Sequence, residues 1–376
     1  MEINYIFELL IIFIGLRVIH SSYKAKALQK TALYILFIFV FATFQYFMVC
    51  GLASASPIYS EILFNTWIFL FAMTLGKTLE ATWKKASRFK TALKIIFIVT
   101  FLMLIFGLLN TRRAKIDVRF TPKTYNFKYT ESFVKTSDGL NIRSWFIKGH
   151  LKNDKVAIVS HGIGANLGDS FPFALKFLIE GYDVITFDWR SHGLSDGHLI
   201  EFGEGERFDI QAILSSYQKE LDGYSTRVAF GASMGGGNII KNWDLYKQSK
   251  VTRLILDSPY ADVRDAVIQK LWFLPFPESI KWHISNLTCR LASIFINTRS
   301  VSNPPIQNIS KLKDTPVLLI HGKKDILLPY QGSQRLFDQL DPKISQLAIF
   351  DKAGHLNSHR KHRKEYEKVF TEFLNR

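Results

Sequence analysis

Arg227-Val228-Ala229-Phe230-Gly231-Ala232-Ser233-Met234-Gly235-Gly236 is the stretch whose reading decides the fold. Its first half is a short apolar run, and the residues from Met234 onward read as a helix. A Gly-x-Ser-x-Gly pattern between strand and helix predicts a sharp elbow that lifts a serine hydroxyl into reach of a substrate. Gly231 and Gly235 flank the turn, where side chains would collide. The helix start behind Ser233 aims backbone N–H groups at whatever the serine attacks. Such a pattern also arises by chance, and Ser233 could simply cap a helix. The reading therefore depends on an acid and a base following at strand ends.

Both follow. Pro316–Ile320 is a buried-strand pattern running into His321-Gly322-Lys323-Lys324-Asp325. Gln346–Phe350 is another, running into Asp351-Lys352-Ala353-Gly354-His355. The order Ser233, Asp325, His355 is that of the α/β-hydrolase fold and differs from the orders of two other triad classes. A serine hydroxyl is a poor nucleophile at neutral pH and needs a base within hydrogen-bond reach. Histidine titrates near neutrality, so it can take the proton and return it to a leaving group. An aspartate fixes the imidazole tautomer. Asp257, also at a strand end, is the alternative acid. His359 and His362 compete with His355 but fall in a basic run that reads as the solvated face of the last helix. His161-Gly162-Ile163 follows the apolar run Val156–Ser160, the position from which an oxyanion donor is supplied. The expected oxyanion hole is the backbone N–H of Ile163 and of Met234.

Further pieces carry a resemblance: Thr136-Ser137-Asp138-Gly139 in an opening hairpin, Asp188-Trp189-Arg190-Ser191-His192-Gly193-Leu194-Ser195, and Gly354-His355. With the elbow and His321–Asp325, they make residues from about 126 to 376 resemble α/β hydrolases of the Bem46-like and serine-aminopeptidase-like membrane-associated group. The resemblance implies an α/β-hydrolase fold and acyl-transfer chemistry, and leaves the substrate open. That family usually carries glycine where Ser191 stands.

The coarse pattern agrees. A hairpin over 127–136 and 141–148 is followed by strands near 156–160, 183–187, 227–231, 252–257, 316–320 and 346–350. Helices lie between, near 169–180, 206–221, 234–246, 331–340 and 358–374. Apolar strands alternating with helices predict a mostly parallel sheet of about eight strands, covered on both faces. Residues 260–304 break the alternation and read as a cap insertion. Trp272, Phe273, Leu274, Phe276, Trp282, Leu287, Leu291 and Phe295 make that segment apolar. Most of these side chains should pack the cap, and the segment as a whole could form a lid or acyl-binding wall.

Residues 1–111 read as a membrane region. Thr31–Leu52 holds no charged residue and is long enough for a bilayer core, which takes about 20 residues. Similar runs give expected transmembrane helices near 5–20, 60–76 and 94–111, with a linker over 112–125. Met1-Glu2-Ile3-Asn4 lacks the positive region of a cleaved signal peptide. Lysines cluster in the first loop (Lys24, Lys26, Lys30) and the third (Lys77 to Lys94). Positive loops stay in the cytoplasm, which places the C-terminal domain on the other side, although Arg112, Arg113, Lys115 and Arg119 argue the other way.

The formal net charge of +16 over 376 residues would draw the domain toward anionic headgroups, or simply reflect a lysine-rich composition. No basic–aromatic motif points to nucleic acid. No metal-ligand spacing occurs, and no cofactor is expected. Cys50 and Cys289 are not expected to pair, and oligomeric state is not legible. Asn286 and Asn308 sit in glycosylation-type triplets, a pattern common by chance. The expectation is a membrane-anchored serine hydrolase cleaving an ester or thioester of a lipid-like or acylated substrate. The alternatives are a peptidase or amidase of the same fold, with Glu201, Glu204 or Glu206 meeting a substrate amine, and a non-catalytic membrane scaffold.

Overall fold

A computed structural model of the chain describes residues 117–376 apart from 119, 152–153, 272–275 and 296–300. The four expected spans lie outside the described residues, as do Trp272, Phe273 and Leu274. Among the described residues no helix is long and apolar enough to cross a membrane.

The chain opens with the antiparallel pair β1 (Tyr129–Lys135) and β2 (Asn141–Ile147). Six strands follow: β3 (Lys155–Ser160), β4 (Asp183–Phe187), β5 (Thr226–Ala232), β6 (Arg253–Asp257), β7 (Val317–Gly322) and β8 (Gln346–Phe350). They form one eight-stranded sheet in the order β1-β2-β4-β3-β5-β6-β7-β8. β2 meets β4 antiparallel, and every pairing from β4 to β8 is parallel. This is the mostly parallel eight-stranded α/β-hydrolase sheet that the sequence predicts.

Successive side chains on a strand point to opposite faces, so each parallel strand feeds two cores. Leu254, Leu256, Val317 and Leu319 join the cluster on one face. Ile255, Leu318 and Ile320 join the cluster on the other. Helices cover both. α1 (Phe171–Ile179) brings Phe173 and Phe177 to the second cluster, and the C-terminal α10 (Arg363–Leu374) brings Tyr366, Phe370 and Phe373. α2 (Glu206–Ser216), with the short α3 (Gln218–Leu221), and α4 (Met234–Lys241), with α5 (Trp243–Gln248), cover the first through Ile210, Ile213, Ile239 and Trp243.

Three expected helices are each divided, at Tyr217, Asn242 and, between α9 (Ser358–Lys361) and α10, at His362. Asn242 shows the cause. Its side-chain amide donates to Gly203 O at 2.8 Å and Asn238 O at 3.0 Å, a tertiary bond that outcompetes helix continuation. α8 (Gln331–Phe337) lies between β7 and β8. Between β6 and β7 stand α6 (Val263–Lys270) and α7 (Glu278–Phe295). α6 is capped by Asp262, which accepts from Arg264 N at 2.9 Å.

Arg190, in the loop after β4, is buried and clasps the hairpin to this loop. Its guanidinium donates to Asp138 at 2.9 Å and to Asp209 of α2 at 2.8 and 2.9 Å. Ser191 follows at φ +64°, the left-handed conformation that glycine adopts without cost. Its hydroxyl donates to Leu199 O at 2.8 Å, which offsets the strain.

Candidate active site

Ser233, Asp325, His355 and Ile163 each lie just beyond the carboxyl end of a parallel strand, where α/β sheets place their ligands, while Gly231 lies near the end of β5 and Met234 and Gly235 open α4. Ser233 follows β5 and caps α4. Its backbone sits at φ +51°, ψ −112°, outside the ordinary regions. Its N–H donates to Asp257 O at 2.8 Å. The flanking glycines are sterically required. A Cβ on Gly231 would stand 2.5 Å from Gly236 N, and one on Gly235 would stand 2.7 Å from His161 O. Gly162 also lies against the elbow, since a Cβ there would meet Ser233 Cβ at 3.1 Å.

His355 follows β8. Its Nε2 lies 3.0 Å from Ser233 Oγ and its Nδ1 lies 2.6 Å from Asp325 Oδ2. A carboxylate only accepts, so Nδ1 carries the proton and Nε2 is free to take the serine's. Asp325, following β7, is buried. Its Oδ1 accepts from Leu327 N at 2.8 Å and Leu328 N at 2.9 Å. Burial by itself would raise its pKa, but the His355 and His321 interactions hold the carboxyl well below the usual range.

The sequence reading missed His321. It is fully buried at the end of β7, and its Nε2 lies 3.1 Å from the same Asp325 Oδ2. Its Nδ1 lies 2.7 Å from Ser333 Oγ. By the same acceptor argument, Nε2–H donates to Asp325 and the Ser333 hydroxyl donates to Nδ1. A chain of five groups results: Ser333, His321, Asp325, His355, Ser233. The residue was visible in His321-Gly322-Lys323-Lys324-Asp325. That it turns back onto the acid four residues later depends on the loop, which periodicity does not encode.

The backbone N–H groups of Ile163 and Met234 make no hydrogen bond among the described residues. Met234 is the first residue of α4, where an N–H lacks an intrahelical partner. Ile163 follows Gly162, which packs against Ser233.

The competing residues are placed elsewhere. Asp257 accepts from Tyr366 Oη at 3.0 Å and Ser258 Oγ at 3.1 Å, and burial pushes its carboxyl up to about 6. His161 Nδ1 bonds Gly162 O at 2.7 Å and its Nε2 accepts Trp189 N–H at 3.1 Å. Burial keeps that ring neutral, so its role is to hold the loop after β3. His359 differs from expectation. It is half-buried, with its ring 4.8 Å from Phe173, because the division at His362 turns α9 inward onto the core.

All three glutamates flagged for a substrate amine are engaged. Glu206 accepts from Glu201 N at 2.9 Å and Gly203 N at 2.6 Å, and Glu204 pairs with Lys241 Nζ at 2.8 Å. Glu201 lies 3.7 Å from Arg190, and burial pushes it up to about 7. Asn308 is buried and bonded to Asn303 and Pro304, so its triplet is closed to glycosylation. Among the described residues no cluster of His, Cys, Asp and Glu could hold a metal.

Known proteins share this framework. Residues 152–307 match the serine aminopeptidase (S33) family of hydrolases. The uncharacterised protein YqkD of Bacillus subtilis is 25% identical over 249 residues, 65% of this chain and 79% of that protein. Protein bem46 of Schizosaccharomyces pombe is 25% identical over 239 residues, 62% of this chain and 73% of that one. Among solved structures, the Pyrococcus furiosus esterase Pf2001 superposes with a TM-score of 0.59 at 23% identity, covering 70% of this chain and 97% of the esterase. The sheet order, the strand-end motifs and these relatives agree: the chain has the α/β-hydrolase fold and resembles the serine-aminopeptidase and Bem46-like group.

Proposed function

We propose that the chain is a membrane-anchored serine hydrolase that cleaves an ester or thioester of a lipid-like acyl substrate through an acyl-enzyme. One observation carries the reading: Ser233 Oγ, His355 and Asp325 stand in line at 3.0 and 2.6 Å. In the first step Ser233 Oγ bonds to the substrate carbonyl carbon while His355 Nε2 takes the hydroxyl proton. Asp325 stabilises the resulting imidazolium, and the N–H groups of Ile163 and Met234 hold the oxyanion. His355 then gives its proton to the leaving alkoxide or thiolate as the carbonyl re-forms. Water repeats the cycle on the acyl-enzyme, releasing the acid and Ser233.

The lipid-like substrate rests on the apolar cap beside the site and on the uncharged runs of residues 1–111. An aminopeptidase needs an acid available to a substrate amine. Glu206 is engaged by its own loop, Glu204 by Lys241 of α4 and Glu201 by Arg190, which favours the ester reading over that one. The test is fluorophosphonate labelling of the full chain beside Ser233→Ala and His355→Ala, followed by a panel of acyl esters and thioesters. Labelling should vanish in both variants. Labelling that survives Ser233→Ala would overturn the assignment, and turnover confined to peptides would overturn the substrate class.

A further inference from the structure

His355 stands inside a tight turn, Gly354-His355-Leu356-Asn357. Upstream, the turn is moored to the loop of the acid: Lys324 N, next to Asp325, donates to Ala353 O at 2.8 Å. Gly322 lets the two loops approach, since a Cβ there would stand 2.5 Å from Ala353 O and Gly354 O. Downstream, the turn leads into α9, whose N-cap residue is Asn357.

The turn carries strain. Leu356, its third residue, sits at φ +51°. Turns that are left-handed at this position ordinarily place glycine or asparagine there. A leucine in that region costs about 1–2 kcal/mol and stays only where its surroundings impose it. Its side chain is partly buried against the second core cluster, with Cδ1 3.7 Å from the point that a Cβ on Gly162 would occupy.

The backbone closes this turn weakly. Asn357 N lies 3.5 Å from Gly354 O, at the outer limit of a hydrogen bond. The side chain supplies the strong bond instead: Asn357 Oδ1 accepts from Gly354 N at 2.8 Å. An N-cap side chain ordinarily turns forward and accepts from the first N–H groups of its helix. Asn357 makes no such bond to α9 and reaches back across His355. The helix gives up its cap, and the bond goes to the turn that holds the base.

We propose that Asn357 is a positioning residue for His355: its side chain closes the turn, holds Leu356 left-handed, and so keeps Nε2 at 3.0 Å from Ser233 Oγ and Nδ1 at 2.6 Å from Asp325. The inference rests on the hydrolase reading above. Without that bond Leu356 relaxes toward ordinary backbone, and the peptide it shares with His355 turns with it. The imidazole then meets the serine and the leaving group out of line. A displacement of about 1 Å is enough to cost about 10² in rate.

The test compares Asn357→Ala, Asn357→Ser and Asn357→Asp in the full chain on two butyrate esters, p-nitrophenyl and ethyl. Nitrophenolate leaves without a proton, whereas ethoxide needs the one that His355 returns. The ratio of kcat/KM for the two esters therefore reports how the base is placed, and it does not depend on the folded fraction. Fluorophosphonate labelling confirms a competent site. Asn357→Ala should lose about 10² in kcat/KM on ethyl butyrate and about tenfold less on the nitrophenyl ester. Asn357→Ser can cap α9 but is too short to reach Gly354 N as the amide does, so it should shift the ratio likewise and carries the test if Asn357→Ala does not fold. Asn357→Asp still accepts from Gly354 and should restore the native ratio. A labelling-competent Asn357→Ala or Asn357→Ser with the native ratio overturns the positioning role and leaves the hydrolase intact, and so does a shifted ratio in Asn357→Asp. A native chain that neither labels nor cleaves either ester overturns the hydrolase reading and this inference together.

Discussion

Replacing Asp325 by asparagine tests the site at its most constrained point. The two oxygens of Asp325 are not equivalent. Oδ1 accepts two backbone N–H groups, from Leu327 and Leu328, at 2.8 and 2.9 Å. An amide group facing them would set donor against donor on fixed backbone. In Asp325→Asn the carbonyl oxygen must therefore take the Oδ1 position and the NH2 the Oδ2 position. That NH2 then faces His355 Nδ1, 2.6 Å from Oδ2 in the native site. It donates to Nδ1 and forces the imidazole proton onto Nε2, where Ser233 needs an acceptor. His321 can move its proton to Nδ1 and donate to the Ser333 hydroxyl, giving up the contact of Nε2 with Leu328 O at 3.2 Å. His355 cannot do so without losing its base. An inverted tautomer with intact geometry costs about 10⁴ in kcat in a studied serine protease, or about 5.5 kcal/mol at 1.36 kcal/mol per decade. Asp325→Asn should show that loss in steady-state ester hydrolysis while its far-UV circular dichroism stays native, and Asp257→Asn should stay within a few-fold of the native rate. Activity of Asp325→Asn within tenfold of native, or a comparable collapse in Asp257→Asn, would refute the assignment of the acid.

Three further outcomes are expected. His321→Leu removes one of four donors from the buried carboxylate and should cost about 1.5–3 kcal/mol in stability. It should also lower kcat with KM unchanged, because the carboxylate that orients His355 loses a partner that fixes its position. His321→Gln, which can still donate, should restore much of both, and a kcat unchanged in His321→Leu would refute the positioning role. Asp257 is fully buried with its pKa raised to about 6, so the native fold binds a proton that the unfolded chain releases near 3.8. Its contribution to stability is greatest below about pH 4 and is lost as pH rises to about 6, a change of roughly 3 kcal/mol. The stability of Asp257→Asn relative to native should therefore rise over that window in urea titrations and level off above it; a pH-independent difference would contradict the buried-acid account. Ser191→Gly trades a hydrogen bond for relief of a left-handed backbone, about 1 kcal/mol each way, and should be near neutral. Ser191→Ala keeps the strain and loses the bond, so its thermal midpoint should fall below that of Ser191→Gly.

What the sequence disclosed follows from which residues face both cores. β3, β5 and β7 are buried on both faces, so their apolar runs are unbroken and end where a polar residue must leave the sheet. Those ends are where Ser233 and Asp325 stand, which is why fold and triad types could be read together. The divisions at Tyr217, Asn242 and His362 carry no glycine or proline. Bonds such as Asn242 to Gly203 O decide them, over a separation of 39 residues. His359 was misread for the same reason: a basic run looks solvated until the turn at His362 folds it onto Phe173.

The motif residues that carried the resemblance divide into two kinds, and the division explains why the substrate stayed illegible. Asp138, Asp188 and Arg190 fix loops. Arg190 joins the hairpin to α2, and Asp188 accepts from Leu167 N at 2.7 Å, which sets the segment just beyond Ile163. Ser233, Asp325 and His355 supply the polar groups for chemistry. Both kinds must recur wherever an elbow of this geometry is to face an acyl carbon, whatever the acyl group. The cap is of neither kind: its α6 buries no residue fully and its α7 leaves Ile280, Trp282 and Leu287 exposed. An element that packs so lightly on the sheet is free to vary its sequence without loss of fold. It therefore bears no periodic constraint from which a ligand could be inferred.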